Sequence, residues 1–240
     1  MPVFTELWPG GPVFAAAPQA PMTTDSVLLA HFVPLRGAER GIDLGCSTGL
    51  LTLLLCRRSP ALRMVGLELQ ADTAALGRDC LTKNALADRA QILTGDIRDH
   101  RALFPAPGRF DLAVSDPPYF PLGSGARSPD AGRDLARSEA GCSLEELCAA
   151  AAWLLRTGGR FCLVHRPERL AELFCCMRAA GLEPKRLRLV QRCADSAPSL
   201  ALVEGRRGGK PGLRIEPALV LRDAEGRESA AYRRICHREG

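Results

Sequence analysis

The spacing of apolar and polar positions changes along the chain, and the changes predict alternating strands and helices. Short apolar runs suited to buried strands fall at Gly41–Leu44, Met64–Glu68, Gln91–Thr94, Phe110–Ser115 and Arg160–His165. Among them, Leu50–Arg58, Ala71–Asn84 and Leu144–Leu155 carry helical patterns. The complete strand-helix-strand units are about 25–30 residues long, enough for right-handed crossovers between parallel strands. The order therefore predicts an α/β fold with a doubly wound, mostly parallel sheet. A further helix is expected at Glu168–Ala180, closed by Gly181. After it, Leu187–Gln191, Leu200–Glu204 and Ile215–Leu221 read as strands with no helix between them, which predicts an antiparallel C-terminal finish.

Ahead of the alternation, Thr24-Asp25 caps a short helix over Val27–Val33 that Pro34 ends. The first 22 residues, rich in Pro, Gly and Ala, read as an irregular or hairpin extension. The expected division is an extension over 1–23 and one domain over 24–240. The stretch Pro121–Glu139 has no apolar period, and a loop of that length is unusual in a compact domain unless it has a task.

Composition narrows the class only slightly. With 46% hydrophobic and 25% charged residues in 240, the chain is of ordinary globular make-up and too apolar for disorder. Its longest unbroken apolar run, Leu147–Leu155, is far short of the ~20 residues a membrane helix needs. The first basic residue is Arg36, which does not suit a secretory leader. Ten cysteines show neither paired spacing nor a Cys/His cluster of the kind that holds zinc, so reduced thiols, a cytoplasmic location and no metal are expected.

The chemistry lies at the predicted strand ends. The first strand runs into Asp43-Leu44-Gly45-Cys46-Ser47-Thr48-Gly49 and then a helix, a glycine turn that lets a ligand approach the backbone. Asp43 suits cationic or hydroxyl groups rather than phosphate, and the spacing differs from the dinucleotide fingerprint. Glu68 ends the second strand, placed to accept bonds from ribose hydroxyls; Gly95-Asp96-Ile97 ends the third. The fourth ends in Asp116-Pro117-Pro118-Tyr119. There the Asp116 side chain and the Pro117 carbonyl offer two acceptors, and Tyr119 offers a flat face. Together they suit a planar amino group held by two N–H bonds and stacking.

These motifs, in this order, resemble the class I S-adenosylmethionine-dependent methyltransferases of the amino-methylating branch. More narrowly, the chain is similar to the bacterial tRNA(Val) adenine-N6 methyltransferase family, whose members modify the adenine 3′ to the anticodon. The resemblance extends from Thr24-Asp25 to about Pro217, through Arg133–Glu139, Gly158-Gly159-Arg160-Phe161, Arg166-Pro167-Glu168-Arg169-Leu170 and Glu183–Arg188. It implies a Rossmann-like methyltransferase sheet and S-adenosylmethionine as cofactor. Asp43, Gly45 and Gly49 would border the cofactor's methionine part, Glu68 its ribose, and Asp96 with the Ile97 backbone its adenine. Asp116, Pro117 and Tyr119 would hold the substrate base for direct in-line methyl transfer. One departure is Asp116 itself: that family usually carries Asn there, while DPPY is a form seen in many DNA adenine methyltransferases.

The formal charge of +5 is local. Between Glu183 and Arg214, eight basic residues face three acidic ones, with Lys185, Arg186, Arg188, Arg206 and Arg207 as the expected phosphate-contacting strip. tRNA is the expected partner. The competing readings are an amino-methyltransferase for DNA adenine, an rRNA guanine or a protein glutamine, and a non-catalytic cofactor- or RNA-binding module.

Overall fold

The computed structural model describes residues 2–17, 22–117 and 142–238. Its sheet is built from β3 (Arg40–Leu44), β4 (Arg63–Glu68), β5 (Ala90–Thr94), β6 (Phe110–Ser115), β7 (Leu155–His165), β8 (Leu182–Gln191) and β9 (Pro198–Arg207). Their order across the sheet is β5-β4-β3-β6-β7-β9-β8. β3 to β7 pair in parallel, and β9 runs antiparallel to both its neighbours. Strand order reverses at β3, so the crevice beyond the carboxyl ends of β3 and β6 is the topological switch point where such sheets bind ligands.

Parallel strands buried on both faces must be apolar on both, and alternate residues here enter two separate cores. Leu112, Val114, Cys162 and Val164 join the core under α1 (Thr24–Phe32), α2 (Leu50–Arg58) and α3 (Ala71–Lys83). Ile42, Leu44, Ala113, Phe161 and Leu163 join the core on the other face, under α5 (Leu144–Leu154) and α6 (Leu170–Ala179). A short α4 (His100–Leu103) follows β5. Fully buried Phe161 alone contributes on the order of 2–3 kcal/mol of transfer free energy. The capping box of Ser143 and Glu146 starts α5, which passes directly into β7.

Several boundaries differ from the expected ones for physical reasons. α1 starts at Thr24, not Val27, and its N-cap Thr23 makes no capping bond because its hydroxyl points elsewhere. The helix expected from Glu168 opens as a 3₁₀ turn, Pro167–Arg169, before α6. The expected strand Ile215–Leu221 is two short strands, β10 (Arg214–Ile215) and β11 (Leu219–Val220), both parallel to β8, with Pro217 between them. The finish is therefore mixed, with β9 alone antiparallel. A helix absent from the sequence reading, α7 (Ala230–Ile235), packs on α1 and β11.

The N-terminal extension forms a hairpin, β1 (Thr5–Glu6) with β2 (Val13–Phe14). Asn84 ties it to the end of α3, its carboxamide bonding both the N–H and the carbonyl of Val13. All ten cysteines are free thiols. Among the described residues no helix is long and apolar enough to cross a membrane, and no His, Cys, Asp and Glu group could hold a metal ion.

Candidate active site

The carboxyl ends of four neighbouring strands carry the acidic residues singled out in the sequence. Asp43, 1% exposed, lies on β3 and accepts bonds from the Thr52 hydroxyl (2.8 Å) and the Thr52 N–H (3.2 Å) of α2. Burial above all, with the charges of Asp116 and Glu68 beyond it, pushes the Asp43 carboxyl up from 3.8 to about 7, against the opposing Thr52 bonds. Gly45 and Gly49 bracket the turn into α2 with φ of 74° and 79°, and Ser47 between them also has a positive φ of 51°. The two glycines have different reasons to be glycine. A Cβ at Gly49 would meet Ile92 Cδ1 at 2.8 Å, whereas one at Gly45 would meet nothing nearer than Ile97 Cδ1 at 4.0 Å. Gly45 thus leaves space beside Ile97 that a ligand can enter.

Glu68 ends β4 with both oxygens fixed by backbone: Oε2 accepts from Ser47 N–H and Oε1 from Gln70 N–H, each at 2.9 Å. The pinned carboxylate faces the glycine turn and retains lone pairs for two hydroxyls of a ribose. Asp96 accepts the Arg98 N–H and pairs with the Arg98 guanidinium. The guanidinium hydrogen bond chiefly, with the backbone bond adding to it, holds the Asp96 carboxyl below the usual range. Ser115 at the end of β6 donates its hydroxyl to the Leu44 carbonyl (2.7 Å), joining the tips of β3 and β6.

Asp116 and Pro117 follow, both half-buried. Asp116 Oδ2 accepts from Ser26 Oγ at 2.5 Å and lies 3.4 Å from Thr23 Oγ1. The first turn of α1 is thus wired to the acceptor at the end of β6. Sequence reasoning took Thr24-Asp25 for the helix cap, gave Thr23 and Ser26 no role and missed this; four polar residues in a row where one cap suffices was the available signal. It likewise missed Thr52. Tyr119 and the Pro121–Glu139 stretch lie outside the described residues. His165, fully buried at the end of β7, accepts the Arg166 N–H on Nδ1. Burial above all lowers its pKa to about 4, which keeps the ring neutral.

The basic strip divides. Arg186 and Arg207 are spent inside the fold, contrary to the expectation from sequence. Arg186 pairs with Glu204 (2.9 Å) and Glu216 (3.3 Å), donates to the Phe32 carbonyl and stacks on the Phe32 ring. Arg207 caps the end of α5 through the carbonyls of Ala152, Trp153 and Leu155. Arg206 is exposed, but register aligns it with Arg160, Leu112 and Gly41, at the opposite edge of the sheet from Asp116. Lys185 donates to the Lys210 carbonyl and Arg188 to that of Pro217.

The family model described as methyltransferase small domain matches residues 13–174. The chain is 33% identical over 210 residues to a Tolumonas auensis protein named tRNA1(Val) (adenine(37)-N6)-methyltransferase, covering 87% of this chain and 85% of that one. A Porphyromonas gingivalis protein of the same name is 33% identical over 88% of this chain and 85% of its own. Among solved structures, a predicted O-methyltransferase from Agrobacterium tumefaciens superposes with a TM-score of 0.70 at 19% identity, covering 90% of this chain and 97% of that one. The same sheet, in a C-methyltransferase acting on geranyl diphosphate from Streptomyces coelicolor A3(2), gives a TM-score of 0.52 at 14% identity over 70% and 71% of the two chains. With the strand order and the glycine turn, these matches place the chain in the small-domain methyltransferase family, among the relatives named tRNA1(Val) (adenine(37)-N6)-methyltransferase.

Proposed function

We propose that the protein transfers a methyl group from S-adenosylmethionine to the N6 amino group of an adenine in tRNA. The names of its relatives support the substrate. The observation that carries the reading is Asp116-Pro117 at the tip of β6, beside the glycine turn of β3 and locked by Ser26.

The cofactor site fits the residues present. Space over Gly45 next to Ile97 would admit the cofactor. Asp43 and the Gly45–Gly49 turn would border its amino-acid part, Glu68 its ribose, and Asp96 with the Ile97 backbone its adenine. When bound, the sulfonium supplies an already activated methyl group, so transfer needs no covalent enzyme intermediate.

The protein's own task is to make a poor nucleophile a better one. The lone pair of an exocyclic aryl amine is delocalised into the ring. Accepting its two N–H bonds at Asp116 and at the Pro117 carbonyl would favour a pyramidal nitrogen and fix its direction of attack. Ser26 acts on Asp116 by holding Oδ2, so that the carboxylate plane does not have to be fixed in the transition state. Tyr119 would stack on the base. The test is methyl transfer to undermodified total tRNA with nucleoside analysis of the product. N6-methyladenosine in RNA is expected; label in DNA or protein instead would overturn the substrate.

A further inference from the structure

Two of the five residues in the expected basic strip are consumed inside the fold, and Arg206 lies at the far edge. Arginines and imidazoles gather elsewhere, around α1 and α7. His31 near the end of α1 is exposed, as are Arg233, Arg234, His237 and Arg238. Burial lowers the His31 pKa first, and Arg58, Arg188, His237 and Arg234 lower it further, which keeps His31 a neutral ring set among arginines. From Ser229 to Arg238 there is no acidic residue. Arg238 pairs with Glu228, and Arg233 donates to the Glu228 carbonyl. A concentration of like charge costs stability, and an anionic partner relieves that cost.

The patch is physically joined to the site. α1 carries Ser26, on Asp116, at one end and His31 towards the other, about 8 Å apart along the axis. Tyr232 of α7 hydrogen-bonds Thr24 in the first turn of α1, and buried Ile235 anchors α7 to the core. Beside these cations, His237 stacks on Trp8 of the N-terminal hairpin, ring centroids 4.0 Å apart and planes at 16°. Cations next to a stacked ring pair are the features single-stranded RNA uses for phosphate and base contacts. α7 and Arg188 both lie beyond the residues 13–174 shared with the family model.

We propose that the face made by His31, Arg188, Arg233, Arg234 and His237, with Trp8 at its border, docks the RNA backbone flanking the base presented to Asp116. This surface rests on the tRNA reading above. A base delivered to Asp116 brings its neighbouring phosphates across the surface around α1, where this face offers charge and the β9 strip does not.

The test is fluorescence anisotropy of an unmodified tRNA transcript at a series of NaCl concentrations. Arg233→Glu with Arg234→Glu should weaken binding at least tenfold and make the slope of log affinity against log salt shallower by about two. Lys185→Glu with Arg206→Glu should stay within twofold of wild type. The neutral pair Arg233→Gln with Arg234→Gln should fall between, and all variants should stay folded and keep their affinity for S-adenosylmethionine. Unchanged binding in the α7 variants, or a loss confined to the Lys185 and Arg206 pair, overturns the surface while leaving the substrate reading in place. A wild-type protein that binds no tRNA overturns both.

Discussion

Ser26 donates its hydroxyl to Oδ2 of Asp116 across 2.5 Å, linking the first turn of α1 to the end of β6 over 90 residues of sequence. A hydrogen bond to a charged acceptor is worth about 1.5–3 kcal/mol, or roughly ten- to a hundredfold in rate if felt mainly in the transition state. Ser26→Ala should lower kcat by at least tenfold with cofactor affinity and melting midpoint retained. Ser26→Thr, which keeps the hydroxyl, should recover most of the activity. Full activity in Ser26→Ala would remove Ser26 from the mechanism.

Asp43 makes stability depend on pH in an unusual direction for a carboxylate. Its pKa is raised from 3.8 to about 7 in the folded protein, chiefly by burial. The folded state therefore holds the proton more tightly than the unfolded one. The contribution is fully present below about pH 4 and is lost as pH rises through 7. Three pH units correspond to about 4 kcal/mol as an order of magnitude. Asp43→Asn removes the titration, so denaturant midpoints should show its advantage over wild type growing from pH 5 to pH 8. A gap that is constant with pH, or one that shrinks, would contradict the assignment.

Gly45 and Gly49 should separate binding from stability. Both have positive φ, which costs an alanine about 1 kcal/mol at either position. At Gly49 the Ile92 side chain is also in the way, at 2.8 Å, so Gly49→Ala should be the more destabilising. At Gly45 the space is open, so a larger residue should mainly obstruct the ligand. Gly45→Val should weaken S-adenosylmethionine by calorimetry more than tenfold, whereas Gly49→Ala should show the larger fall in melting temperature.

Arg186 tests the division of the basic strip. Its side chain is 17% exposed and joins Glu204 and Glu216 to Phe32. Arg186→Ala leaves the Glu204 carboxylate without its cation, while Glu216 keeps Arg214, and should cost about 2–3 kcal/mol in chemical denaturation. The salt dependence of tRNA binding should not change. A variant of normal stability with a shallower salt slope would return Arg186 to the RNA surface.

What the sequence made legible was local. β6 and α2 fall at the expected residues, because a buried strand and a helix bounded by a glycine turn leave strong patterns. Asp43, Glu68, Asp96 and Asp116 sit at successive strand ends for the same reason: strand ends are marked by where apolar runs stop. Contacts between distant segments left no such mark. A serine in a helix's first turn reads as a capping residue whether or not Asp116 lies over it. Arg186 reads as a surface cation because charge in a strand is visible, whereas Glu204 and Glu216 are brought to it only by the pairing of β8 with β9 and β10, and Phe32 only by the packing of α1 on the sheet. The six-residue α7 was too short for a period and gets its stability from Ile235 in the core.

Nucleoside mass spectrometry of tRNA treated with S-adenosylmethionine and either wild-type protein or Asp116→Ala tests the central claim most directly. Wild type should produce N6-methyladenosine. Asp116→Ala should produce none while binding the cofactor within a few-fold of wild type. N6-methyladenosine formed equally by both proteins would contradict the role of Asp116, and its absence with active wild type on another substrate would contradict the reaction.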